Sequence, residues 1–171
     1  MDYTVKYYVD MSGAKAGFTT SGLNAEIAHD FSGSVALKNG TVVKITAHGV
    51  PVSKPGPGVN TIKAYKSLKG ISVSGRAETN KIGGSQIKVD SSDNAAVAAH
   101  EAGGHGGGAG DQYKGGIDRN GNPLTSDVPG PPNVMRDLGG PANTQTLREI
   151  LGGLTTKNIC APNVHAANSG C

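Results

Sequence analysis

The stretch SDNAAVAAHEAGGHGGGAGD, residues 92–111, sets the organisation of this chain. Its first part predicts a helix, because Ser92 and Asp93 offer an N-cap and a run of alanines follows. Its second part holds six glycines between positions 103 and 110, and so many glycines cannot be kept helical by propensity. We therefore expect a helix that ends near residues 102–105, followed by a segment that a bound metal ion orders.

The residues before this stretch predict a sheet-rich half, 1–91, and those after it a second half, 92–171, of a single domain. Alternation and β-forming residues predict strands at 3–10, 35–38, 41–46, 60–68, 70–74 and 86–90, with a hairpin turn at Asn39-Gly40. Apolar spacing predicts helices at 21–31 and 144–151, and residues 112–133 form a loop. The expected fold class is α+β or α/β, with a twisted sheet preceding the helix of residues 92–102.

The composition excludes several classes of protein. The net charge of +3 is small and the lysines are scattered, which argues against a nucleic-acid partner. No apolar run approaches the length of a membrane span. With no Trp and only two Phe, the core must consist mainly of aliphatic side chains. We expect a monomer.

The two cysteines, Cys160 and Cys171, lie close together near the C-terminal end. In an exported protein they would form a small disulfide loop, and otherwise they are two free thiols in a frayed tail. The first residues have no basic start followed by an apolar stretch, so any export signal would lie outside this chain.

The chemistry of the chain is concentrated at His100, Glu101 and His105. Two imidazoles and a carboxylate are the ligands of a zinc ion with an open position, and a glutamate beside the first histidine is placed as a general base. The spacing of five residues turns the second imidazole by about 100° from its ideal place on a regular helix. One bulged i→i+5 turn would restore the alignment, and Gly103 and Gly104 make such a distortion sterically easy.

Asp111 is the predicted third ligand. Gly108, three residues after His105, lets the chain turn sharply and return the Asp111 side chain toward the two histidines. Glu149 on the last predicted helix and His165 are the alternatives.

The segment resembles the metzincin zinc-peptidase motif, His-Glu-x-x-His-x-x-Gly-x-x-His/Asp, with one residue inserted before the second histidine. The inserted form, His-Glu-x-x-Gly-His, is similar to the motif of a separate zinc dipeptidyl-peptidase family, in which the extra residue does not abolish zinc binding. Asn133-Val134-Met135-Arg136 resembles the metzincin Met-turn, a methionine that lies beneath the metal. The resemblance covers residues 92–152; earlier residues match only in the order of their elements.

The resemblance implies a metzincin-like fold and a zinc-dependent endopeptidase acting on a protein or peptide substrate. Many metzincins stabilise the oxyanion with a tyrosine two residues after the methionine, but Asp137 stands there in this chain. That role would fall to Tyr113, Arg136 or His165, or to no residue.

The pattern also looks like the metallopeptidase domains of bacterial polymorphic (RHS-type) toxins. This implies a secreted or delivered effector with a cognate inhibitor or immunity protein. The alternatives are a zinc-binding interaction or toxin-scaffold module without catalysis, and a secreted binding domain without metal.

Overall fold

The computed structural model describes residues 1–37, 39–72 and 77–154. Six strands are present: β1 (Asp2–Asp10), β2 (Gly33–Ala36), β3 (Val42–Pro51), β4 (Asn60–Tyr65), β5 (Glu78–Thr79) and β6 (Gln86–Asp90). The helices are α1 (Thr20–Phe31), α2 (Ala95–Ala99), α3 (Val134–Asp137) and α4 (Thr144–Leu154), and α2 continues into a π-helical turn, His100–His105.

The six strands form one curled mixed sheet in the order β2-β3-β1-β4-β6-β5. The four central strands β3, β1, β4 and β6 are parallel, and β2 and β5 pair antiparallel at the two edges. The mixed sheet with its helices confirms the α+β character. The predicted hairpin is also present, since β2 and β3 pair antiparallel on either side of Asn39-Gly40.

Alternation along the strands places the core between the sheet and the helices. In β1 the side chains of Tyr3, Val5 and Tyr7 are buried. Helix α1, capped by the Thr19 hydroxyl, buries Leu23 and Phe31. Tyr3 and Phe31 meet edge to face, with ring centroids 6.2 Å apart.

Several details differ from the predictions. Strand β4 ends at Tyr65 rather than at residue 68, and helix α3 was not predicted. Residues 70–72 form a turn rather than a strand, since the amides of Ile71 and Ser72 bond back to the Leu68 carbonyl. Strand β5 has only two residues, too few for a periodic pattern. The cap of α2 is Asn94, whose side chain accepts from the Val97 amide, because Asp93 instead accepts from the Asp90 amide.

Two further predictions concern residues near the C-terminal end. The proposed Cys160–Cys171 disulfide and His165 lie outside the described residues. Among the residues that are described, no helix is long and apolar enough to cross a membrane.

Candidate metal centre

The π-helical turn absorbs the extra residue between the two histidines. The Gly106 amide donates to the Glu101 carbonyl and the Ala109 amide to the Gly104 carbonyl, both five residues back along the chain. The sequence prediction of an i→i+5 turn is therefore confirmed. The chain then reverses at Gly108, whose φ is +90°, a conformation that favours glycine.

Three ligand atoms converge as a result. The Nε2 atoms of His100 and His105 are 3.2 Å apart. The Asp111 Oδ1 atom lies 3.4 Å from the first of these nitrogens and 3.2 Å from the second. All three side chains are buried. The structure thus brings together the residues predicted as zinc ligands.

Backbone carbonyls fix which ring nitrogens face the centre. His100 Nδ1 is 2.9 Å from the Val134 carbonyl, and His105 Nδ1 is 2.9 Å from the Ala109 carbonyl. Because a carbonyl only accepts hydrogen bonds, each Nδ1 donates, so each Nε2 of a neutral ring turns a lone pair inward. Such outer hydrogen bonds orient histidine ligands in metal sites.

Asp111 adds a third acceptor to the centre. Its Oδ2 atom accepts from the Ile117 amide at 2.9 Å, while Oδ1 is buried without a hydrogen bond. Two lone pairs and an unsatisfied carboxylate oxygen therefore face one another, an arrangement that is costly unless a cation sits between them.

The spacing fits zinc. Ligands at 2.0–2.1 Å from a tetrahedral ion lie about 3.3–3.4 Å from one another. The three observed separations span 3.2 to 3.4 Å. The residues present can therefore hold a zinc ion in three positions of a tetrahedron.

The electrostatics of the centre also favour a cation. Burial lowers the pKa of His105, but the close contact of its Nε2 atom with the Asp111 carboxylate and the charges of Glu101 and Asp111 outweigh burial and raise the pKa to about 9. Burial raises the pKa of Asp111, but its contacts with His100 and His105 outweigh this and hold that pKa well below its usual range. The surroundings of His105 thus stabilise positive charge.

Glu101 lies beside the ligands on the cleft side. One ligand atom from each of His100, Glu101 and His105 falls within a group no wider than 4.8 Å. The Glu101 Oε2 atom accepts a hydrogen bond of 2.7 Å from the Thr79 hydroxyl. Two cavities, of about 530 and 210 Å³, both border Glu101. Glu101 can therefore act on a molecule bound in the cleft.

The other predicted site residues take different positions. Tyr113 borders both cavities and is 38% exposed. Arg136 borders the larger cavity, but its guanidinium bonds to Asp137 and to two backbone carbonyls. Of the two candidates for oxyanion stabilisation that lie within the described residues, Tyr113 is thus the one that borders both cavities.

Met135 lies buried under the π-helical turn. A Cβ atom added at Gly104 would meet the Met135 thioether. The turn that carries Met135 also supplies the Val134 carbonyl for His100. The Asn133–Met135 segment therefore packs against the centre and orients one of its ligands.

Glu149, an alternative third ligand, has another role. Its Oε2 atom accepts from the Gly110 amide and its Oε1 atom from the Gln145 side chain, each at 3.0 Å. Burial raises its pKa. Glu149 holds the backbone of the segment that presents Asp111.

Sequence reasoning missed two contributors. Thr79 lies 22 residues before Glu101, so no local spacing links them. Gln112 is fully buried and its amide pairs with that of Asn143 at the start of α4. A polar side chain next to a ligand is too common a feature to have identified it.

Comparisons with protein-family models, curated proteins and solved structures find no match for this chain. The features that point to a function are therefore the geometry of the centre and the resemblance of its motif.

Proposed function

We propose that this chain is a zinc-dependent endopeptidase. The observation that carries the proposal is the triangle formed by His100, His105 and Asp111, with sides of 3.2–3.4 Å, beside a buried glutamate that borders a cleft. A bound zinc ion would supply Lewis-acid activation of water and of the scissile carbonyl. The resemblance of residues 92–152 to the metzincin motif supports the same reaction.

Glu101 would act as general base and then as general acid. It takes a proton from the attacking water and delivers it to the leaving amine. Its position between the ligands and the two cavities supports this role, because a proton-transfer group must lie within hydrogen-bond reach of the reacting atoms.

The cleft has features that suit an extended peptide. The two cavities meet at Ala77, Glu101 and Tyr113. Glu78 and Thr79 of β5, an edge strand of the sheet, border the smaller one. A peptide can add to an edge strand through backbone hydrogen bonds and place side chains in flanking pockets. Exposed apolar side chains at the cavities, those of Tyr113, Ile117 and Leu138, would contact the peptide.

We also propose where the enzyme acts and which kind of partner it has. The resemblance to RHS-type toxin domains favours a secreted or delivered effector with a cognate inhibitor or immunity protein. As part of the same proposal, the fold is metzincin-like and Met135 forms the Met-turn beneath the metal.

Metal content and casein cleavage test this function together. Protein purified without chelator or a histidine tag should contain one zinc ion per chain by elemental analysis and should cleave casein. Glu101→Gln should keep the zinc and lose nearly all turnover, because a neutral amide cannot accept the proton. Zinc without cleavage would instead support the non-catalytic module, and absence of zinc would support a binding domain without metal.

A further inference from the structure

We infer that Thr79 is a positioning residue for Glu101, and this inference rests on the proposed function. The hydroxyl of Thr79 holds one oxygen of the Glu101 carboxylate, so that the general base is oriented before substrate arrives.

The geometry at β5 carries this inference. Thr79 Oγ1 lies 2.7 Å from Glu101 Oε2 and 3.4 Å from the Glu101 carbonyl oxygen. A hydroxyl has one hydrogen to donate. The carboxylate oxygen is nearer than the carbonyl oxygen and is the stronger acceptor because it is charged, so the hydrogen goes to the carboxylate. Within residues 1–37, 39–72 and 77–154, Thr79 is the one side chain that donates to this carboxylate.

This contact limits how the base can turn. A glutamate side chain is flexible, and its terminal torsion is broad. With Oε2 engaged by Thr79, rotation of the carboxylate is restricted and proton transfer falls to Oε1. Orientation of a catalytic group in advance lowers the barrier to reaction.

Strand β5 sets the position of the hydroxyl itself. Thr79 pairs with Ile87 of β6 in the antiparallel edge of the sheet. Its neighbour Glu78 is fixed by an ion pair of 3.0 Å with Lys88. Glu78 and Thr79 both border the smaller cavity. The strand along which a peptide would lie therefore also orients the base that would act on it.

Steady-state kinetics of Thr79→Val and Thr79→Ser on the zinc-loaded protein test the inference. We expect Thr79→Val to lower kcat by about ten-fold or more, the order of a lost hydrogen bond to a charged group, with little change in KM. Thr79→Ser keeps the hydroxyl and should retain most of the activity. Thr61→Val makes the same chemical change in β4, away from both cavities, and should be indistinguishable from the parent protein.

A double variant shows whether Thr79 acts through Glu101. In the Glu101→Gln background, Thr79→Val should cause no further loss of the residual rate, whereas an independent role would cause one. Zinc content should be equal in all variants.

Crystal structures give a readout that does not depend on turnover. The Glu101 carboxylate should keep its place in Thr79→Ser and rotate in Thr79→Val. Unchanged kcat and an unmoved carboxylate in Thr79→Val would overturn the inference while leaving the endopeptidase in place. A parent protein that binds zinc but cleaves nothing would overturn the proposed function, and a base role for Glu101 with it.

Discussion

At the level of individual residues, the candidate centre is defined by the side-chain atoms that the surrounding backbone hydrogen bonds leave facing inward. His100 and His105 each use Nδ1 on a backbone carbonyl, and Asp111 uses Oδ2 on the Ile117 amide. The remaining polar atom of each side chain, Nε2 of the two histidines and Oδ1 of Asp111, faces the centre of the group. The network thus assigns a ligand atom to each residue, which residue identity alone does not do.

Asp111 and Glu149 provide a matched pair for testing the third ligand. Asp111→Asn should weaken zinc binding by on the order of a hundred-fold, because a charged oxygen is replaced by a neutral amide. Glu149→Gln keeps an acceptor for the Gly110 amide and should retain zinc at full stoichiometry. Titration with a competing zinc chelator measures the zinc affinity of both variants. Equal affinity of Asp111→Asn and the parent protein would remove Asp111 from the ligand set.

At the scale of elements, the π-helical turn is held by what packs against it. The ring of Phe31 covers Gly103, and the Met135 thioether covers Gly104. The Tyr3 hydroxyl donates to the Gly103 carbonyl at 2.5 Å. These contacts bring α1, α3 and β1 onto one turn. The two glycines are therefore required for close packing, in addition to the freedom they give the backbone.

Gly103→Ala tests this packing. A Cβ atom there would overlap the Phe31 ring, and overpacking of this kind costs about 1–3 kcal/mol, less the roughly 1 kcal/mol by which alanine favours a helix. We expect a loss of up to about 2 kcal/mol in the free energy of unfolding, measured by urea denaturation. Gly56→Ala, where a Cβ meets open space, should leave stability within about 0.5 kcal/mol. Equal stability of the two variants would show that the turn can yield around the added methyl group.

At the scale of the whole molecule, the centre lies where the two halves of the chain meet. The sheet-rich half contributes β5 with Thr79, while the second half contributes the ligands and the Val134 carbonyl. The loop of residues 106–111 is held to α4 by Glu149 and to the Met135 backbone through the Gln112 amide. Binding of a metal ion at this centre would therefore be coupled to the stability of the entire fold.

The pH dependence of thermal unfolding should differ between the metal-free and the zinc-loaded protein. In metal-free protein the pKa of His105 is raised from 6.5 to about 9, so its stabilising contribution is complete below pH 6.5 and is lost as pH rises through 9. A zinc ion held by His105 would take the place of that proton, so the stabilisation that zinc adds should grow over the same range. We expect the Tm of chelator-treated protein to fall between pH 6.5 and 9.5, and the difference from zinc-loaded protein to widen.

The Asp111→Asn variant is the control for this effect. It removes the carboxylate whose direct contact with the ring raises the His105 pKa, and should flatten the decline of Tm in the metal-free protein. A decline of unchanged steepness would assign the pH dependence to other groups.

The sequence by itself determined the parts of this protein that depend on nearby residues. Helix α1, the β2–β3 hairpin and the i→i+5 turn at His100–His105 follow from periodicity, turn chemistry and spacing, because their partners lie within a few positions along the chain. The grouping of His100, Glu101 and His105 follows from that same turn. The two-residue strand β5 was too short to leave such a pattern.

Only the tertiary structure decided which groups support the centre. Thr79 reaches Glu101 from 22 residues away and Glu149 reaches Gly110 from 39, and the Val134 carbonyl orients His100 across 34 residues. Such contacts depend on how sheet, helix and loop pack together. A side chain that can accept or donate one hydrogen bond has many possible partners along the sequence, and the fold leaves it with one.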